Sequence, residues 1–244
     1  MKPYQHIIIL DCGEPLVPIP LSSFAVEEPH PYVKVGAPYG DKSPYYLRQG
    51  VLDRLLEAQR SLQGFHPGWQ IQIFDAYRPI AVQQYMVEYT FAQTVQTQGL
   101  KVETLSAADR QTILEQVYQF WAVPSDNPNT PPPHSTGAAI DITLLDQAGT
   151  PVNMGSPIDE MSPRSAPDYF ATPPDPLLQE KLLPEGDRQT IHQNRQLLKQ
   201  VMAAAEFRQH PREWWHFSFG DQLWAWQINQ AAPGMQQVAR YGKV

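Results

Sequence analysis

The sequence predicts a single α+β domain. Short runs with a two-residue alternation alternate in no repeating order with longer stretches whose apolar residues recur every three or four positions. No internal repeat, flexible linker or break in composition divides the chain. At 244 residues, 42% of them hydrophobic and 11% aromatic, it has the material for one large core. Folding at this size buries roughly 70–75% of the unfolded surface.

The elements follow in order. His6–Asp11 reads as a first strand, and 12–43 as loop, because Pro15, Pro18, Pro20, Pro29, Pro31 and Pro38 interrupt it. Ser43-Pro44 reads as an N-cap with proline in the first turn, opening a helix over 44–62 through Leu47, Val51, Leu55 and Leu62. Ile71–Asp75 alternates like a strand, and Arg78-Pro79 starts a second helix over 79–97. Ser106-Ala-Ala-Asp109 resembles a capping box before a third helix striped by Ile113, Val117, Phe120 and Trp121. A polar, proline-rich loop over 122–133 leads to a strand at Ala139–Leu145. Residues 146–186 are mostly irregular. Asp187 is a candidate cap for a fourth helix over 188–206, and Trp214–Phe219 is the last β run.

Bulk properties narrow the function classes. Cys12 is the only cysteine, which excludes an intrachain disulfide and a Cys-rich zinc module. The net charge of −7, with no Lys/Arg run, argues against a nucleic-acid partner. Ile7–Leu10 is too short for a signal-peptide core or a membrane span, so no membrane association is expected and a cytoplasmic protein is. A chain whose leader had been removed would read the same. The 25 prolines cluster between periodic segments, as rigid loops rather than disorder.

Two motifs carry the chemistry: His134-Ser-Thr-Gly-Ala-Ala-Ile-Asp141 and Glu213-Trp-Trp-His216. Together they offer two imidazoles and a carboxylate as metal ligands, with a second carboxylate to spare, and a catalytic zinc site wants three protein ligands and an open position. Strand alternation puts Asp141 opposite Ile140 and Ile142, a costly place for a carboxylate unless it is paired or metal-bound. Glu213 and His216 are an odd number of residues apart, so they share a site only if Glu213 precedes the strand, and Pro211 makes a turn there reasonable. This arrangement suits His216 as ligand and Glu213 as base. For Arg78, a strand-end arginine paired with Asp75 is the simpler reading, and an oxyanion-stabilising role is the functional one. His6, His30, His66 and His192 lack ligand spacing and default to surface roles. A rival cluster of His210, Glu213 and His216 is disfavoured by Pro211.

In order, Asp75-Ala-Tyr-Arg-Pro79, His134 to Leu144, Met154-Gly-Ser156 with Asp159, Asn194-Arg195 with Leu197-Leu198, and Glu213-Trp-Trp-His216 resemble the D-alanyl-D-alanine dipeptidases, the VanX-type branch of zinc D,D-peptidases. The similarity runs from about residue 44 to 219, as a catalytic core between a proline-rich segment 1–43 and an extension 220–244. The resemblance implies a central, mainly antiparallel sheet flanked by helices, the hedgehog-like zinc D,D-peptidase fold. It implies one zinc ion per chain on His134, Asp141 and His216, with Glu213 as general base and acid and Arg78 polarising the scissile carbonyl. Asp159 would receive the free amino end of a short D-amino-acid dipeptide. One departure stands out: Pro132 occupies a position where the family often has a serine. The rival readings are a zinc D,D-carboxypeptidase or endopeptidase acting on longer wall peptides, and a metal-holding binding module without turnover.

Overall fold

Ile71 and Ile73 alternate with polar residues and are fully buried, and the strand they predict is an interior strand of the main sheet. The computed structural model describes residues 2–171, 183–232 and 234–244. Its elements run as a 3-10 turn at Pro3–His6, then β1 (Leu16–Pro18), β2 (Ala25–Val26), α1 (Pro31–Lys34), β3 (Tyr46–Arg48) and α2 (Gln49–Phe65). There follow β4 (Gln70–Asp75), α3 (Ile80–Thr97), α4 (Ala107–Val117), a 3-10 turn at Pro133–Thr136 and β5 (Ala139–Leu145). Another 3-10 turn at Pro163–Ser165, α5 (Glu185–Ala204), β6 (Arg208–Gln209), β7 (His216–Ser218) and α6 (Gln222–Ala231) complete the chain.

The main sheet has the order β2-β4-β5-β7-β6. Only β2 and β4 run parallel; every other pair in it is antiparallel. A small antiparallel pair, β1 with β3, stands apart. Ile71, Ile73, Ile140, Ile142 and Leu144 pack with Val51, Leu55, Ala58 and Leu62 of α2 and with Leu198, Val201 and Met202 of α5. Each of these side chains larger than alanine contributes about 1.5–3 kcal/mol when fully buried. A second cluster joins Val82, Met86, Phe91 and Val95 of α3 to Ile113 and Val117 of α4, with Tyr32, Tyr39 and Trp121 at its edge.

Several boundaries differ from the sequence reading. His6–Asp11 is not a sheet strand: it makes one bridge, Ile9 to Ala239, and leaves Ile8 and Leu10 exposed. Ser43 caps a turn by accepting from the Tyr45 amide, Leu47 belongs to β3, and α2 starts only at Gln49. The 12–43 segment holds β1, β2 and α1 despite its prolines. Phe120 and Trp121 lie beyond the end of α4, α5 begins at Glu185 ahead of Asp187, and α6 had no counterpart in the periodicity. Ser106 does accept from the Asp109 amide as a cap. Part of the irregular 146–186 stretch, residues 172–182, lies outside the described residues.

Candidate active site

Three neighbouring strands bring the polar residues of the sheet together. Asp141 of β5 is paired in register with His216 of β7 on one side and Asp75 of β4 on the other. The second pairing needs a bulge, because Ile73 opposes Ile142 while Asp75 opposes Asp141, leaving Phe74 as the extra residue. In an unbroken strand Asp75 would share the core face of Ile71 and Ile73. The bulge turns it to the face that carries Asp141.

His134 reaches the same spot from the 3-10 turn before β5. Gly137 closes that turn at φ +70, and a Cβ there would come within 2.5 Å of Leu16 Cδ1. The positive φ favours glycine, and any side chain would also have to displace the end of Leu16. The motif's hydroxyls lock the turn: Ser135 Oγ donates to Arg78 O at 2.7 Å and Thr136 Oγ1 to Pro133 O at 2.6 Å. Arg78 N donates back to His134 O at 3.2 Å, so the turn and the end of β4 hold each other. Pro132 precedes the turn and contributes no donor.

The donor atoms converge. His134 Nε2 lies 3.2 Å from both His216 Nδ1 and Asp141 Oδ2, and His216 Nδ1 lies 3.0 Å from Asp141 Oδ1. Four-coordinate zinc at ~2.0–2.1 Å from each ligand separates its ligands by roughly 3.3–3.4 Å, close to what these side chains already adopt. The far nitrogens have partners. His134 Nδ1 meets Ala76 O at 2.7 Å, and since a carbonyl only accepts, Nε2 keeps its lone pair for the centre. His216 Nε2 lies 3.3 Å from Ser218 Oγ. Among the described residues, His134, Asp141 and His216 form the cluster able to hold a metal ion, and all three are at most 5% exposed.

The surrounding charges also fit a cation. Asp75, Asp141, Asp159 and Glu213 are set against Lys2 and Arg78, an imbalance that a divalent ion would neutralise. The titration behaviour reflects that excess. Burial raises the Glu213 carboxyl to about 7, with Asp141 adding to the effect and His216 opposing it. Asp159 is likewise raised to about 7 by burial and by Asp141. Burial opposes charge on Asp141 too, but His134 and His216 outweigh it and hold the carboxyl far below its usual range.

Glu213 precedes β7, after the turn at Pro211-Arg212, and its Oε2 lies 3.8 Å from His216 Nδ1. Arg78 answers both readings of it. Its Nε donates to Asp75 Oδ2 at 2.9 Å, as a strand-end pair would, yet Nη2 also reaches Tyr32 Oη at 3.2 Å and Asp141 Oδ2 at 3.3 Å. Nη1 donates to Gln83 Oε1 at 2.9 Å, and the guanidinium stacks on Tyr32 and Trp121. Asp159, at φ +65, accepts from Tyr32 Oη at 2.8 Å. Arg78, His134, Asp141, Asp159, Glu213 and His216 thus all line one cleft, walled by Trp121 and Trp215.

One histidine departs from the sequence reading, and the disfavoured rival cluster does not form. His30 is buried behind the site rather than on the surface: its Nδ1 accepts from Tyr32 N, and Nε2 lies 3.2 Å from Asp75 Oδ1. His210 lines the cleft, with Nδ1 3.6 Å from Glu213 Oε1, but it is not in the metal-competent cluster. Asp75, Tyr32 and Gln83 were not read as site residues. For Asp75 the one signal was its place in the Asp75-Ala-Tyr-Arg-Pro79 motif.

A family model described as peptidase M15, D-Ala-D-Ala dipeptidase, matches residues 25–236. The chain belongs to the D-Ala-D-Ala dipeptidase family. The match extends beyond 44–219 at both ends, taking in β2, α1 and α6. A D-alanyl-D-alanine dipeptidase of Synechocystis sp. is 53% identical over 100% of this chain and 97% of its own length. One from Escherichia coli is 36% identical over 34% of this chain and 36% of its own. This family member is therefore a metallopeptidase-type hydrolase with a His/Asp/His cluster that could bind a metal.

Proposed function

We propose that this chain is a zinc-dependent dipeptidase that hydrolyses D-Ala-D-Ala, or a closely related D-amino-acid dipeptide, with one zinc ion on His134, Asp141 and His216. The observation that carries this is the convergence of those three ligands with a second buried carboxylate, Glu213, and a buried arginine, Arg78, in one cleft. Neither of the last two is needed merely to hold a metal. When bound, the ion supplies a Lewis acid and makes water a better nucleophile at neutral pH.

The chain's own residues do the rest. Glu213 takes the proton of the attacking water and returns it to the leaving amine, and a carboxyl raised to about 7 by burial is suited to both directions. Arg78 has five N–H donors, of which its protein partners occupy Nε, both on Nη2 and one on Nη1. One Nη1 hydrogen is left for the carbonyl oxygen as it gains charge. Asp159 receives the substrate ammonium. Trp121 and Trp215 restrict water in the cleft. The partner is a small dipeptide rather than nucleic acid, in keeping with the net charge of −7. No helix among the described residues is long and apolar enough to cross a membrane. We place the activity in the cytoplasm, away from membranes, and the catalytic core at 44–219, with 1–43 and 220–244 as flanks of one domain.

The test is mass-spectrometric detection of D-Ala after incubating the zinc-loaded protein with D-Ala-D-Ala, beside a chelated control. Chelator-sensitive release is expected. No release from the dipeptide, with cleavage of longer wall peptides, would overturn the reading in favour of a carboxypeptidase or endopeptidase.

A further inference from the structure

We infer that Lys2 is a specificity-determining residue of this site, the cation that recognises the free carboxylate of the dipeptide. The inference rests on the dipeptidase reading above and adds the one end of the substrate that reading leaves unmatched.

The cleft is lined by two basic side chains, Arg78 and Lys2. Arg78 is committed to Asp75, Gln83, Tyr32 and Asp141. Lys2 is half-buried, lines the cleft and makes no ion pair with any described residue. Burial lowers its pKa and Glu213 pushes it back up, so the cation sits in the field of the proposed base. The segment that carries it is anchored rather than loose. The Lys2 amide donates to Gln5 Oε1 at 2.8 Å, and buried Gln222 of α6 donates through Nε2 to Ile7 O at 2.7 Å and Asn129 O at 3.0 Å. Tyr4, buried in the same turn, lines the cleft beside Lys2.

The chemistry places the carboxylate on this side. In a dipeptide the leaving amine and the free carboxylate share one Cα. The group that protonates that amine, Glu213, must therefore stand near the carboxylate as well. Lys2 acts on Glu213 and His210, whereas Asp159 is bonded to Tyr32 on the Arg78 side. The cleft thus offers an anion, Asp159, for the ammonium end and a second cation, Lys2, for the carboxylate end. A substrate lengthened or blocked at its carboxyl end would leave Lys2 buried against a neutral group, which selects for dipeptides.

The experiment compares hydrolysis of D-Ala-D-Ala with that of its C-terminal amide, using zinc-loaded wild type, Lys2→Met and Lys2→Arg. A charge-assisted contact of this kind is worth on the order of a 10- to 100-fold change in KM. Wild type is expected to prefer the free acid by about that factor, Lys2→Met to lose the preference through KM with little change in kcat, and Lys2→Arg to keep most of it. Lys2→Glu, which reverses the charge, is expected to favour the amide. A structural role for Lys2 would lower both substrates equally and leave the ratio intact, and that result overturns the inference while the dipeptidase reading stands. A wild-type protein that cleaves neither substrate overturns both.

Discussion

Asp141 and His216 face each other across β5 and β7, with Asp141 Oδ1 3.0 Å from His216 Nδ1. Adjacent antiparallel strands fix this distance, so the pair is set by the sheet rather than by loops. A preformed site of this kind predicts a stabilising response to metal. Zinc at 100 times its Kd should stabilise the fold by about 2.7 kcal/mol, read as a rise in Tm. His216→Ala should remove most of that rise, since one strong ligand is gone. An equal rise in the variant would place the ion elsewhere.

Glu213 predicts a separation of binding from turnover. Glu213→Gln keeps shape and removes the base, so zinc stoichiometry should stay near that of wild type while kcat falls by ~10²–10⁴-fold. The carboxyl is raised to about 7, so part of it is protonated at neutral pH. A nearby divalent cation favours the charged form and expels that proton. Calorimetry of zinc binding in buffers of different ionisation enthalpy should show fewer protons released by the Gln variant.

Asp159 predicts a requirement for a free amino group. Its carboxylate is anchored by Tyr32 Oη at 2.8 Å and held at φ +65, a backbone region that a non-glycine residue seldom adopts. N-acetyl-D-Ala-D-Ala should not be cleaved, and Asp159→Asn should raise KM more than it lowers kcat. Equal hydrolysis of the acetylated and free dipeptides would remove Asp159 from substrate recognition.

How far the sequence showed this site depends on the kind of signal each residue left. Asp141 alternates with two isoleucines in a strand, where a carboxylate is costly to bury unless it is paired or metal-bound, and so it marks itself. Glu213 and His216 are legible because their odd spacing excludes a regular strand through both. Asp75 is silent on that test. Its spacing from Ile73 looks like an ordinary core position, and only the bulge at Phe74 turns it toward the site. His30 lies in a proline-rich stretch where periodicity has nothing to report, and it is placed by tertiary contacts with Asp75 and Tyr39. The late start of α2 has a similar origin. Ser43-Pro44 is a sound capping signal, but pairing of β3 with β1 claims Tyr46–Arg48 before the helix can begin. The helices that stand far from these competitions, α3 and α4, begin close to where periodicity put them.

Asp75 carries a structural prediction. It is fully buried, and its carboxylate serves Arg78, Tyr39 Oη at 3.0 Å and His30. Burial opposes its charge, but the Arg78 guanidinium beside it outweighs that and holds the carboxyl below the usual range. Asp75→Ala leaves Arg78 buried without its closest partner, which typically costs about 3–5 kcal/mol. Denaturant unfolding should show this loss, with a fall in kcat as Arg78 loses its orientation. A variant as stable as wild type would mean that Asp141 alone suffices for Arg78.

The last prediction concerns acid. Asp11 and Glu14 tie the segment before β1 to the end of the chain. Asp11 Oδ2 accepts from Gly242 N at 2.7 Å and Arg48 Nη2 at 3.0 Å, and Glu14 Oε2 accepts from Gly50 N at 2.7 Å and Tyr241 Oη at 2.8 Å. Burial would raise both carboxyls, but amide donors at Gly13, Gly242 and Gly50, with Arg48, Arg240 and Tyr241, outweigh it and lower them. A depressed carboxylate contributes stability above its unfolded pKa, ~3.9 for Asp and ~4.3 for Glu, and loses it as pH falls through the lower folded value. Stability should therefore be flat with respect to these groups from neutral pH down to about 5 and drop below about 4. Asp11→Asn should be less stable than wild type at pH 7, by a gap that is smaller at pH 3, where wild type begins to lose the charge that the variant lacks. Chemical denaturation at the two pH values measures that convergence, and a constant gap would assign the Asn defect to shape rather than to the proton.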